Sequence, residues 1–411
     1  MPELSETMRK TVWTAAHETP AVELRARFGP MDAYDSGISG LDALLTSPAV
    51  LDEFFRRRAR LNPAAGNGTD EDRLRALAPA ELADLVWRRL FLDRQPLSEA
   101  TRIILTTLGL FGIDLSSRNL REVREQFDAI PLAERWERAL RLANLETVLV
   151  SADVSATKRE DGPVNRRSGF PLALSLSRLF REWREAAKKL RRLGFDVKSK
   201  IDNFSAMELR RFLAGEVECR KPVALSLDWP EEGELDGGDA VRLIREAVLP
   251  LCREGNLAFL LAPGPGGLRP PAFWAEVSDI RFLVFSGGRG DDWIPAPGMA
   301  RARNVLPCGP DRPLSHPAGL AGFFASHLET FGSDFHACHS GAVLPEELAG
   351  SWAHLRWTLG KALLHRYEEV WRTGWRFSES EIGEDVKAIL GGNAMAFLGL
   401  PIRRPGCSGL F

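Results

Sequence analysis

Histidine and cysteine are scarce in this chain, at seven and five residues, and several fall close together. His336, Cys338 and His339 lie within four positions, and Cys308 precedes them by one helix-length of sequence. With His17 they make a set that could hold zinc, since imidazole and thiolate are its usual protein ligands. Successive strand residues alternate sides, however, so His336 and His339 share a face only if a strand ends between them. Asp153 and Ser340 also follow strand-like runs. Arg269 lies in the turn-rich loop PGPGGLRP (263–270), whose GPGG resembles a phosphate cradle but lacks the Lys-Ser/Thr ending and the helix start of a true one. His17, Asp153, Arg269, His339 and Ser340 are therefore the pocket candidates, and the ligand they would suit is a small polar metabolite. Each has a plainer reading as well: a lone histidine at a strand end is commonly hydrogen-bonded structure, and Asp153 could simply cap the next segment.

Such residues meet only if strands carry them to one place. Eight short apolar runs ending near Gly, Pro, Ser or Asp read as strands: Val12–Ala16, Thr147–Ser151, Pro171–Ser177, Pro222–Leu227, Leu257–Ala262, Arg281–Ser286, Asn304–Cys308 and Thr330–His336. Several are apolar on both faces, as parallel strands covered by helices must be. Amphipathic stretches separate them, such as LFREWREAAKKLRRL (179–193) before Gly194, and AVRLIREAVLPLCR (240–253), where Pro250 predicts a break. Alternating strands and helices predict an α/β fold, a (β/α)₈ TIM-type barrel, whose strand C-termini converge on one face. An open doubly wound sheet is the rival, but no glycine fingerprint follows the first strand. Residues 1–400 form one unit in this reading. A helical insertion, about 35–140, follows the first strand and covers the C-terminal face, and 401–411 is a tail.

Composition narrows the function classes. The net charge is −2, from 54 Lys+Arg against 56 Asp+Glu, so nothing points to nucleic acid. The basic run Arg56–Arg60 reads as a solvated helix face. No apolar run is long enough to span a bilayer, the N-terminal residues lack an apolar core typical of a signal peptide, and five scattered cysteines make no disulfide framework. The expectation is a cytoplasmic protein with no membrane partner, free to form a homo-oligomer or a complex with a paralogue.

The segment TGWRFSESEIGEDVKAILGGNAMAFLGL (373–400) resembles the end of amidohydrolase-superfamily proteins, where a last helix runs into Gly-Asn-Ala before a Leu-Gly. SWAHLRWTLGKALLHRYEEVWRTGW (351–375), LLTSPAVLDEFFR (44–56), ADLVWRRLFLDRQPLSEATRIILTTL (83–108) and RLIREAVLPLCREGNLAF (242–259) resemble the uronate (glucuronate) isomerase branch of it. The resemblance implies aldose–ketose isomerisation of hexuronates with a divalent metal, held by a His-x-His pair on the first strand and an Asp after the last. A metal would polarise the sugar oxygens while a base moves a proton between adjacent carbons.

Measured against that pattern, the site looks eroded. Asp-Thr-His-x-His falls on Trp13–His17, leaving Ala15 at the first histidine. The Tyr-His-Tyr group after Leu-Leu-Thr becomes Ser47-Pro48-Ala49. Thr-Asn-Asp-Pro becomes Ser151-Ala152-Asp153-Val154, and the third strand's Arg and Asp become Ser175 and Ser177. Cys-Trp-Trp-Phe becomes Pro310–Pro313, and Gln-His-Ser-Asp-Ala-Arg becomes Cys338-His339-Ser340-Gly341-Ala342-Val343. Each lost acid–base group costs roughly 10²–10⁴ in rate. The preferred reading is a degenerate uronate-isomerase-like barrel, non-catalytic or strongly divergent, with no cofactor expected. One alternative is a divergent metal-dependent isomerase or hydrolase with zinc on His17, His336, Cys338 and His339. Another is glucuronate isomerase activity itself.

Overall fold

A computed structural model describes residues 3–26, 28, 38–61, 68–155, 170–229, 235, 237–264, 271–286, 298–310, 317–337 and 340–401. Among the described residues, seven strands run in one parallel sheet in sequence order: β1 (Ala21–Ala26), β2 (Leu145–Asp153), β3 (Leu172–Ser175), β4 (Ala224–Asp228), β5 (Ala258–Ala262), β6 (Phe282–Phe285) and β7 (Val305–Cys308). Helices occupy the connections. β2 to β7 fall on the runs expected from sequence.

The two end strands differ from expectation. Val12–Ala16 is helical, within Glu6–Glu18. Ser5 accepts the Met8 N–H as N-cap, and Val12 and Ala16 are buried one turn apart, which is helical spacing. Pro20 cannot continue the helix, and the strand follows it as AVELRA, with all six residues buried. At the other end, Thr330 and Phe331 close the Pro317–Phe331 helix. Of the expected eighth strand only His336 pairs, in a parallel bridge with Cys308. A few residues later the Ser340 N–H reaches Glu23 on β1.

The sheet must curl. In a flat sheet β1 and β4 would lie about 14 Å apart, and β1 and β6 about 24 Å. Yet Arg25 of β1 is ion-paired with Asp228 of β4, and its guanidinium carbon lies 5.1 Å from the ring centroid of Phe285 on β6. One face of the sheet therefore lines an interior. Val22, Leu24, Leu149, Ala173, Ala224, Ala258, Leu260, Leu283 and Leu306 pack there with Ala394, Met395 and Leu398 of the last helix, Asn393–Leu398. The architecture is TIM-like. The opposite face carries larger residues, including Leu174, Leu225, Leu227, Phe259 and Phe282, against the surrounding helices.

Between β1 and β2 a set of helices from Gly40–Leu45 to Leu132–Ala143 forms its own core around Leu44, Phe54, Trp87, Leu108 and Phe127. It packs on the long helix Glu347–Arg372. Gly350 permits this approach: a Cβ there would stand 2.5 Å from Thr107 Oγ1 and 2.6 Å from the Ile103 carbonyl oxygen. Elsewhere, Pro250 has the expected effect. The helix divides into Gly237–Leu243, a widened π turn Ile244–Val248, and Leu249–Glu254, because proline removes one N–H and crowds the preceding turn. Among the described residues no helix is long and apolar enough to cross a membrane.

Arg356 ties the N-terminal ends of β1 and β2 to the long helix. Its guanidinium donates to the carbonyls of Ala16 (3.1 Å), Thr19 (2.7 Å), Ala143 (3.3 Å) and Asn144 (3.0 Å). Positive charge suits those two helix C-termini, and burial draws its pKa down to about 10. Arg356→Met should leave four carbonyls without that donor and cost about 3–5 kcal/mol, read from urea unfolding at pH 7. A loss within experimental error would show that the clamp is dispensable.

His327 is buried among Phe323, Phe331 and Phe335, and its Nδ1–H donates to the Phe323 carbonyl. Burial holds its pKa down at about 4, against an ordinary 6.5. Below pH 6.5 the unfolded chain takes up a proton that the folded chain refuses. The stabilisation is thus complete above pH 6.5 and lost as pH falls toward 4, by roughly 3 kcal/mol in all. His327→Leu should flatten the decline of the urea midpoint between pH 6.5 and 4.5. Equal slopes in variant and wild type would contradict this.

Candidate functional site

The chemistry-bearing residues of the interior stand where the strands end. Parallel pairing matches Asp153 with Ser175 and Ser175 with Ser226, and Asp228 with Ala262. Phe285 pairs with Cys308, and Cys308 with His336. Since paired residues share a face, these line the interior, toward the C-terminal ends of their strands.

Arg25 joins them through an irregularity in β1. Glu23 pairs with Val148 and Ala26 with Val150, so β1 holds one residue more than β2 across this interval. That is a β-bulge, and it reverses the alternation. Val22 and Leu24 face inward, Ala26 faces outward with Val148 and Val150, and Arg25 turns inward between them. Its φ of 60° is left-handed, a conformation that costs an ordinary residue about 1–2 kcal/mol. The side chain is 2% exposed. Asp228 and the Phe285 ring face its charge, and a guanidinium gains from both a carboxylate and an aromatic face.

Glu23 serves the other side of β1. It is fully buried and accepts from Trp352 Nε1 at 2.7 Å and from the Ser340 N–H at 2.9 and 3.1 Å. It thereby joins β1 to the long helix and to the segment after His336. Ser340 Oγ accepts from the Ala342 N–H.

The remaining groups are committed to local structure. Asp153 accepts from the N–H and hydroxyl of Ser155 at 2.7 and 2.6 Å, closing the turn after β2. Ser175 donates to Ser177, whose Oγ accepts the Asp228 N–H at 2.9 Å, so the residues where β3 gives way to the next helix fix the backbone of Asp228. His336 is fully buried; its N–H donates to the Pro307 carbonyl, and its own carbonyl accepts from Gly309. Burial raises the Cys308 thiol well above its ordinary pKa, and the Arg25 charge pulls it back only in part.

Of the residues singled out in the sequence, Asp153, His336 and Cys308 line the interior, whereas Ser340 meets Glu23 on the outward side of β1. His17 does not. It sits in the last turn of the Glu6–Glu18 helix, stacked on Trp13 with its Nδ1–H on the Trp13 carbonyl, before the N-terminal end of β1. It was misplaced because its helix was taken for a strand. Arg269, Cys338 and His339 lie outside the described residues. Sequence reading missed Glu23, Arg25 and Asp228. The signal for the first two was Pro20, which ends the preceding helix and sets the strand AVELRA directly after it.

These residues do not fit a divalent metal. Asp228 already bears a guanidinium, and a second cation beside Arg25 would be repelled. Among the described residues no group of three or more His, Cys, Asp or Glu could hold a metal. A second chemistry-like set lies outside the interior: His354 Nδ1 donates to Glu99 at 2.6 Å, and its Nε2 is 2.9 Å from Thr106 Oγ1. It copies a hydroxyl–imidazole–carboxylate relay, but both elements are packed helices with no strand-end mouth, and it serves to clasp Glu99–Leu110 to the long helix.

No protein-family model matches the chain, and no curated protein matches it in sequence. Solved structures do match. A uronate isomerase from Bacillus halodurans superposes with a TM-score of 0.80 at 23% identity, covering 98% of each chain. A uronate isomerase from Thermotoga maritima gives 0.65 at 12% identity, over 96% of this chain and 98% of that one. Glucuronate isomerase from Caulobacter crescentus gives 0.68 at 11%, over 100% and 98%. The chain has the fold of these proteins over essentially its whole length.

Thiol labelling tests the interior. Cys219 is exposed, whereas Cys252 and Cys308 are buried with raised pKa values, and only a thiolate reacts readily. Maleimide followed by peptide mass spectrometry should modify Cys219 in the native protein and the other two only in urea. Native labelling of Cys308 would mean that the interior is open.

Proposed function

We propose that this chain is a degenerate member of the uronate-isomerase-like barrels: a complete (β/α)₈ barrel, with His336 in the eighth strand position, that does not perform metal-dependent isomerisation. The observation that carries the reading is the Arg25–Asp228 ion pair in the interior. It places a fixed positive charge on the strand where the resemblance would put the first metal-binding histidine. Among the described residues the inward carboxylates are already engaged, since Asp228 is ion-paired and Asp153 is committed to its own turn. What remains at the strand ends is hydroxyl-rich, with Ser175, Ser177 and Ser226 beside the ion pair. That chemistry suits binding of a small polar metabolite at the mouth in a cytoplasmic, non-catalytic barrel.

A divergent metal-dependent enzyme is the second reading. It is favoured by one observation, a fully buried His336 turned inward beside Cys308, with Cys338 and His339 close behind in sequence.

Elemental analysis of purified protein and a coupled assay with glucuronate and fructuronate separate the two readings. The expected results are substoichiometric zinc and manganese and no turnover above background. A stoichiometric metal supports the second reading. Wild-type turnover of about 1 s⁻¹, within the ordinary enzyme range, overturns both the non-catalytic reading and the claim that the site is eroded.

A further inference from the structure

We propose that Arg25 is a tethered replacement for the divalent ion of this fold, so that the interior is a guanidinium-binding cavity built around Asp228 and Phe285. The inference rests on the metal-free reading above and gives it a physical mechanism.

Three independent features converge on the guanidinium. The bulge in β1 sets Leu24 and Arg25 against the single residue Leu149 of β2 and turns the arginine inward. Its backbone is held at φ 60°, a position that glycine would occupy without strain, so the side chain accounts for the residue found there. The interior wall then receives the charge with a carboxylate from β4 and an aromatic face from β6, while Ser177 fixes the Asp228 backbone from just after β3. Partners of this kind recognise a planar cation with in-plane donors and a π face, whereas a divalent metal needs lone pairs converging from several sides. The small residues Ala173, Ala224, Ala258 and Ala262 line the same interior. They leave room for a long side chain that enters from the mouth end of β1. The barrel thus keeps a cation at the end of β1, supplied by its own chain and independent of metal supply.

The cavity can be tested by emptying it. Arg25→Gly removes the side chain and suits the left-handed backbone, so it preserves the strand better than alanine would. Its melting temperature should fall on the order of 5 °C or more, because the Arg25–Asp228 ion pair is lost from the interior. Millimolar methylguanidinium chloride should then restore at least half of that loss, saturably. Methylammonium, urea, zinc and manganese should not, and wild type should not respond to any of them. The double variant Arg25→Gly/Asp228→Asn should lose the methylguanidinium response. Restoration by zinc or manganese instead would identify a latent metal centre and overturn the proposal. So would an Arg25→Gly protein that melts like wild type, or one that responds to none of the probes. If Arg25→Gly does not fold, Arg25→Lys keeps the charge without the planar fork. It should melt below wild type, and methylguanidinium should leave it unchanged. An Arg25→Lys protein as stable as wild type overturns the proposal. Metal content of the wild-type protein is measured on the same preparations. Metal-free wild type with an unresponsive Arg25→Gly refutes the tethered cation alone, whereas metal-loaded wild type refutes the underlying reading.

Discussion

A guanidinium buried against a carboxylate sets the terms for this interior. Neither charge could stay there alone, because an ion removed from water without a partner is penalised by several kcal/mol or more. Arg25 comes from β1 and Asp228 from β4, with two strands between them in the sheet order. Their pairing is therefore tied to curvature: a flatter sheet would separate the charges. The pair adds little stability relative to a well-packed apolar substitute, but it penalises any arrangement of the sheet that pulls β1 from β4.

β1 bears this role because it carries charge on both faces. Inward, the bulge presents Arg25 to Asp228. Outward, Glu23 takes three donor contacts from Trp352 and Ser340, linking the strand to the long helix and to the segment that bridges β7 at His336. At the N-terminal end Arg356 gathers the carbonyls that close two helices. A strand with so many polar obligations looks, in sequence, unlike its six neighbours.

That difference explains what could be read from the sequence and what could not. β2 to β7 are short runs, apolar on both faces and bounded by Gly, Pro, Ser or Asp, so periodicity and breakers locate them within a residue or two. AVELRA has two charged residues in six positions and was passed over for VWTAA, whose β-branched residues suggest a strand while Ser5 and the Val12–Ala16 spacing make a helix. Among the described residues the eighth position offers one paired residue, His336, the last of the run Thr330–His336, whose first two residues end a helix instead. The site follows the same division. Ser175, Asp153 and Cys308 were found because their strands were found. His17 was misplaced, and Arg25 missed, because β1 was sought one helix too early. Asp228 lay one residue beyond the run marked as strand, and its importance shows only through a partner on β1, nearly the whole sheet-forming sequence away.

Fold and chemistry draw on different faces of the same strands. The outward residues, such as Leu225, Leu227, Phe259 and Phe282, bury against helices, and any exchange there opens a cavity or a clash in the layer that defines the architecture. The inward residues near the C-terminal ends meet a mouth rather than a packed layer, and their identity is set by whatever the mouth must hold. A chain can therefore superpose on a uronate isomerase at a TM-score of 0.80 while sharing 23% of its residues. The ion pair at the C-terminal ends of β1 and β4 sits on a strained, bulged backbone, and Ser177 holds the Asp228 N–H beside it, so the specific geometry there comes from the inward residues and not from the layer that fixes the architecture.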